Sequence, residues 1–162
     1  MSMAALHTLI LTQSEALSSI LAATLREDGT RETHQARTLR DALGLMRLYP
    51  IDFVICDRVV GGQQMENVLP LLRENATFGD FETILLTGDV DAGLQDICRQ
   101  SGIDEVIIKP MSPRFIAERL AVRAGSARSR ASANRPRVDW TCLPTSANVL
   151  PFAGPLDRSV RS

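Results

Sequence analysis

The sequence predicts an α/β domain with a doubly wound parallel sheet, and three observations carry that reading. Short aliphatic runs alternate with segments whose apolar residues recur at helical spacing, about five times in roughly 125 residues. The runs are apolar throughout, as in strands covered on both faces. Three of them also end in chemically distinct polar residues: Phe53-Val54-Ile55-Cys56 in Asp57, Ile84-Leu85-Leu86 in Thr87, and Val106-Ile107-Ile108 in Lys109, the only lysine in the chain. In an open parallel sheet the carboxyl ends of the strands form the edge where ligands and chemistry collect.

The elements follow in order. Thr8 to Leu11 is a first buried strand. Ser14 offers an N-cap oxygen, and Leu17, Ile20, Leu21 and Leu25 follow at helical spacing until Gly29. Glu32 to Ala36 is a weak second strand, with few apolar residues. Thr38 caps a helix through Leu39, Leu43, Leu45 and Met46 that ends near Pro50. Asp52 to Cys56 is the third strand. Gly61-Gly62 marks a loop, and Met65, Val68, Leu69 and Leu72 the next helix. Phe81 to Leu86 is the fourth strand, with Val90, Leu94, Ile97 and Cys98 on the helix after it and Gly102 beyond. Val106 to Ile108 is the fifth strand. Ser112 then caps a last helix with Pro113 in its first turn and Ile116 and Leu120 facing inward.

Composition narrows the class. Apolar residues make up 44% of the 162, enough for a core, but aromatics only 4%, so the core must be aliphatic. No apolar run approaches a membrane span, and no signal peptide is apparent, so a cytoplasmic location is expected. Three cysteines without regular spacing favour neither a disulfide framework nor a zinc site; Cys56 and Cys98 read as small buried residues. His7 and His34 read as isolated surface residues, and Asp89 and Asp91 as helix-start charges.

Residues 1–124 read as one domain and 125–162 as a linker and tail. Residues 1–123 hold 12 basic and 17 acidic side chains, a net of −5, whereas 124–162 hold 6 and 2, a net of +4. Residues 126–132 are rich in Ser, Arg and Ala, lack an apolar stripe, and read as a flexible connector. Beyond it Trp140, Leu143, Val149, Leu150 and Phe152 form apolar islands, expected to dock on the parent domain or to join two copies. No helix-turn-helix pattern follows, so direct DNA binding is not expected.

The strand-end residues and the order of elements resemble the receiver domain of bacterial response regulators over roughly residues 7–123. The carriers are Asp57 after Phe-Val-Ile-Cys, Thr87 after Ile-Leu-Leu, and Lys109-Pro110 after Val-Ile-Ile. The resemblance implies a flavodoxin-like (βα)5 sheet of strand order 2-1-3-4-5. It implies a phosphoryl group received on Asp57 from a histidine kinase or phosphotransfer protein, with Thr87 and Lys109 contacting that group. It also implies a cis peptide bond before Pro110. A strand-end carboxylate can attack phosphorus and form an acyl phosphate, while a cation and a hydroxyl stabilise its oxygens.

The departures define the expected behaviour. Receivers usually carry two adjacent acidic residues after the first strand, where they hold magnesium; here those positions are Thr12 and Gln13. Magnesium wants charged oxygens, so weak affinity for it is expected and no other cofactor. Glu15 reads as a favourable charge at a helix start. The position of the family's aromatic switch is Val106, too short and too stiff to act as a lever. Gly61-Gly62 replaces a stiffer loop after Asp57.

The expected function is therefore an atypical single-domain response regulator in a two-component or phosphorelay pathway, acting by protein contact on a downstream target. It is no enzyme beyond autocatalytic phosphotransfer to Asp57. The alternatives are a conventional magnesium-dependent phosphoacceptor and a phosphorylation-independent interaction module. A flavodoxin-like cofactor protein is disfavoured, because Thr12-Gln13-Ser14-Glu15 lacks the glycine and hydroxyl run that cradles a phosphate.

Overall fold

The computed structural model describes residues 5–27, 31–131 and 149–151. Its elements are β1 (Leu6–Leu11), α1 (Glu15–Arg26), β2 (Arg31–Ala36), α2 (Leu39–Leu48), β3 (Ile51–Asp57), β4 (Val59–Val60), β5 (Gln63–Gln64), α3 (Met65–Asn75), β6 (Glu82–Thr87), α4 (Leu94–Ser101), β7 (Glu105–Ile108), α5 (Pro113–Ala131) and β8 (Val149–Pro151). The five parallel strands stand in the order β2-β1-β3-β6-β7, which is the expected 2-1-3-4-5 sheet.

Alternation along each strand sends side chains to opposite faces, and each face has its own aliphatic core. Leu9, Val54, Cys56, Leu85 and Val106 pack with Met46 of α2 and Met65, Leu69 and Leu72 of α3. Ile10, Phe53, Ile55, Ile84 and Ile107 pack with Leu21 and Leu25 of α1 and Ile116 and Leu120 of α5. Burying each of these large side chains contributes about 1.5–3 kcal/mol relative to exposure.

The caps form where the sequence places them. Ser14 Oγ accepts from Leu17 N (3.2 Å), Thr38 Oγ1 from Asp41 N (3.1 Å) and Ser112 Oγ from Phe115 N (3.1 Å). Gly102 ends α4 in the left-handed conformation at φ 73°, which glycine adopts at little cost. Gly61 and Gly62, at φ 58° and 78°, turn a two-residue hairpin between β4 and β5. The stop expected at Gly29 lies outside the described residues.

Four expectations need correction. Helix α4 begins at Leu94, so Val90 lies in the loop before it and is exposed. Helix α5 does not end near 124 but continues to Ala131, through residues read as linker. An apolar stripe is needed for packing, not for helicity; Ala and Arg are strong helix formers, and the helix is already nucleated. The sheet also gains a sixth strand, β8, antiparallel to β7 with Val149 opposite Ile107 and Leu150 opposite Val106. Finally, the two histidines are not isolated. His7 Nδ1 lies 3.0 Å from His34 Nε2, because the β1–β2 register sets His7 beside Glu32 and His34 beside Leu9. Tyr49 stacks on His34 at 4.1 Å between ring centroids.

One buried ionic cluster gave no sequence signal. Glu105 of β7 is fully buried and accepts from Arg119 Nε at 2.5 Å and from Arg123 Nε. Arg123 also reaches Glu82 Oε2 at 3.1 Å and the Asp104 carbonyl at 2.8 Å. These bonds tie α5 to the β6 and β7 strands. Among the described residues, no helix is long and apolar enough to cross a membrane.

Candidate functional site

Strands β1, β3, β6 and β7 run in one direction, so their carboxyl ends share one edge of the sheet. Asp57 closes β3 opposite Leu86, Thr87 closes β6 opposite Ile108, and Thr12 and Lys109 follow β1 and β7 directly. Backbone bonds fix these ends: Thr12 N donates to Ala36 O (3.2 Å), Arg58 N to Leu86 O (3.1 Å) and Lys109 N to Thr87 O (2.7 Å). The Lys109–Pro110 peptide bond is cis.

The Asp57 carboxylate is held from both sides. Lys109 Nζ donates to Oδ1 at 2.7 Å, and the Thr12 hydroxyl donates to Oδ2. Ser14 N donates to Thr12 Oγ1 at 3.2 Å, so the hydroxyl accepts from the backbone and passes its own proton toward Asp57. Thr12 is almost fully buried, whereas Gln13 is exposed at the start of the loop. The Asp57 side chain keeps 16% of its surface accessible and that of Lys109 37%, so the ion pair remains in contact with water.

A cleft of about 270 Å³ opens over this pair, lined by Asp57, Arg58, Thr87, Gly88, Asp89 and Lys109. The Thr87 hydroxyl bonds within its own loop, donating to Asp89 O (2.9 Å) and accepting from Asp89 N (3.2 Å). It lines the cleft without bonding to Asp57. A larger depression of about 610 Å³ lies between α1 and the start of α5 and includes none of the strand-end residues.

One residue of this region, Arg58, escaped the sequence reading, and Asp91, read there as a helix-start charge, is its partner. Arg58 Nη2 lies 2.8 Å from Asp91 Oδ2, across the mouth formed by the loops after β3 and β6. The guanidinium holds the Asp91 carboxyl below the usual carboxylate range. Asp91 Oδ1 also accepts from Gly93 N at 3.0 Å, ahead of α4. The only available signal was an arginine directly after a strand-end aspartate, and its partner lies 33 residues away.

Val106 is fully buried in the core beside α3 and α4, below the strand ends. Glu15 stands in the first turn of α1, exposed, with Arg37 Nη1 at 3.5 Å. Cys56 is buried beneath Asp57; burial first, and the neighbouring carboxylate second, push its thiol upward. Leu150 lies in β8, while Trp140, Leu143 and Phe152 lie outside the described residues.

No protein-family model and no curated protein matches the chain in sequence. Solved structures do match its fold. The chemotaxis protein CheY4 of Vibrio cholerae superposes with a TM-score of 0.66 at 18% identity, covering 74% of this chain and 98% of that one. A CheY-like response regulator receiver domain protein from Methanospirillum hungatei gives 0.69 at 17% identity, covering 78% and 98%. A response regulator from Thermotoga maritima gives 0.65 at 22% identity, covering 75% and 99%. The likeness establishes a receiver-type fold for the domain.

Proposed function

We propose that the protein is an atypical receiver-type signalling module of a two-component or phosphorelay pathway, with Asp57 as its phosphoacceptor and protein contact as its output. The observation that carries this reading is the Lys109–Asp57 ion pair at the carboxyl edge of the sheet, in a cleft also lined by Thr87. A carboxylate oxygen of Asp57 would attack the phosphorus of a phosphohistidine. The new O–P bond forms as the N–P bond breaks, and the leaving imidazole takes a proton from water. Lys109 would pass from the carboxylate to the phosphoryl oxygens, and the Thr87 hydroxyl would turn from Asp89 to donate to one of them.

The donor set does not fit a magnesium ion. Thr12 and Gln13 stand where a charged pair is needed, and both oxygens of Asp57 are already engaged. Among the described residues no three His, Cys, Asp or Glu side chains cluster as metal ligands. Glu15 is turned to Arg37. Phosphorylation of the module is therefore slow and proceeds with Lys109 as the cation at Asp57. Its partners are a histidine kinase or phosphotransfer protein and a downstream protein target, with the tail able to join a second copy. The same two bonds on Asp57 favour a second reading, a module that signals without phosphorylation.

The test is incubation of the full chain with a small acyl phosphate, read by intact mass. Gain of one phosphoryl group that is absent in Asp57→Asn supports the phosphoacceptor. No gain in the native chain, with gain in a Thr12→Asp, Gln13→Asp variant given magnesium, favours the phosphorylation-independent module.

A further inference from the structure

The cleft holds a second cation whose side chain already has a partner. Arg58 directly follows Asp57, and its backbone is pinned on both sides: its N–H donates to Leu86 O, and its carbonyl accepts from Met65 N at 2.9 Å. Only the side chain has freedom to move. It lines the cleft and now reaches out to Asp91, a carboxylate with 54% of its side chain exposed, while Arg58 itself keeps 19%. An ion pair with so exposed a partner is weak and easily exchanged.

A phosphoryl group on Asp57 would bring nearly two negative charges into this cleft. Lys109 can neutralise one of them, and Asp89, also in the lining, opposes the other. Where the donor set leaves no room for a divalent cation, the remaining positive charge must come from a side chain. Guanidinium is suited to it, because its planar fork binds phosphate oxygens two at a time.

Resting on the reading of Asp57 as phosphoacceptor, we propose that Arg58 binds the phosphoryl group as the second cation of the cleft, and that Asp91 holds it in reserve until then. The exchange also carries a signal. Asp91 uses Oδ1 for Gly93 N and its carbonyl for Leu94 N (3.2 Å), the first residue of α4. Release of Arg58 removes the side-chain bond that helps orient the Asp91 carboxylate and leaves it to the backbone N–H groups ahead of α4. The state of Asp57 is thereby reported to the start of α4, without any rotamer change at the stiff, buried Val106.

The experiment is titration of the full chain with beryllofluoride, a phosphoryl mimic, in the presence of a chelator, followed by the amide signals of Thr87 and Gly93. The native chain should bind. Arg58→Gln should weaken binding by about tenfold, and Arg58→Lys, which keeps the charge, by only about threefold. Asp91→Asn, which frees the guanidinium, should tighten it by about threefold. The Gly93 signal should shift on binding in the native chain but not in Arg58→Gln. Equal affinity of the native chain and Arg58→Gln overturns the proposal, as does an unaltered Gly93 shift in that variant. Equal affinity leaves Asp57 standing as acceptor; if only the Thr12→Asp, Gln13→Asp variant with magnesium binds, Arg58 has no such role and the native chain is the phosphorylation-independent module. If no form binds, both readings fall together.

Discussion

Lys109 Nζ lies 2.7 Å from Asp57 Oδ1, although 52 residues separate the two in sequence. The contact exists because β3 and β7 flank β6 in parallel and end at the same level, with Asp57 opposite Leu86 and Thr87 opposite Ile108. With the Thr12 hydroxyl on the other oxygen, the carboxylate is satisfied by side chains alone. An incoming electrophile must displace at least one of these bonds.

Magnesium affinity follows from that geometry. The native chain should bind the ion weakly, and the Thr12→Asp, Gln13→Asp double substitution should tighten binding by at least about tenfold by adding two charged oxygens. Isothermal titration calorimetry measures both. Tight binding by the native chain would show that the donor set has been misjudged.

The buried cluster around Glu105 makes a stability prediction. Glu105→Ala leaves Arg119 and Arg123 buried with lost partners and should destabilise the domain by about 3–5 kcal/mol. Thermal denaturation should show a fall on the order of 10 °C. Replacing Glu105, Arg119 and Arg123 together by apolar residues of similar volume should recover much of that loss, since the desolvation of the charges is then removed as well.

The histidine pair predicts acid sensitivity. Burial first, and the His7 charge second, lower the pKa of His34 from its ordinary 6.5; Glu32 opposes this and Arg26 adds to it. A lowered value means that the folded state binds fewer protons. Its stabilising contribution is therefore complete above 6.5 and is lost as the pH falls below it. Asp52, whose carboxylate accepts from His7 N, is shifted upward by burial and acts in the opposite sense at lower pH. Urea denaturation between about pH 7.5 and 5.5 should show declining stability, and His34→Gln should flatten the curve. An unchanged slope in that variant would assign the acid sensitivity to other groups.

Thiol chemistry gives a fourth check. Burial pushes the Cys98 thiol up to about 12 and Cys56 higher still, so neither presents appreciable thiolate at neutral pH. Both should resist alkylation in the folded protein and react after denaturation. Peptide mapping separates them from Cys142. Rapid labelling of Cys56 under native conditions would contradict the packing beneath Asp57.

The sixth strand can be tested by truncation after Ala131, which leaves α5 whole and removes β8. The β7 amides that face β8 should then exchange with solvent faster, because an edge strand has lost its partner. Comparison of solution mass before and after the cut tests whether the tail also joins two copies. Unaltered exchange would mean that β8 adds nothing to the sheet.

The layered fold was legible from the chain alone, since continuous aliphatic runs alternating with helical stripes can be buried only as parallel strands covered on both faces. So were the caps at Ser14, Thr38 and Ser112, the glycine turn at 61–62, and the identity of the strand-end residues Asp57, Thr87 and Lys109, because each depends on local spacing. What depends on pairing across the chain emerged only on folding. The closure of Asp57 by Thr12, the reach of Arg58 to Asp91, the meeting of His7 with His34 and the burial of Glu105 against Arg119 and Arg123 join residues 14 to 45 positions apart. No periodicity connects such positions; only strand register and helix docking do. Polar side chains in particular give no pattern of their own, because a carboxylate reads alike whether it faces water or a guanidinium, and the partner is chosen by the fold.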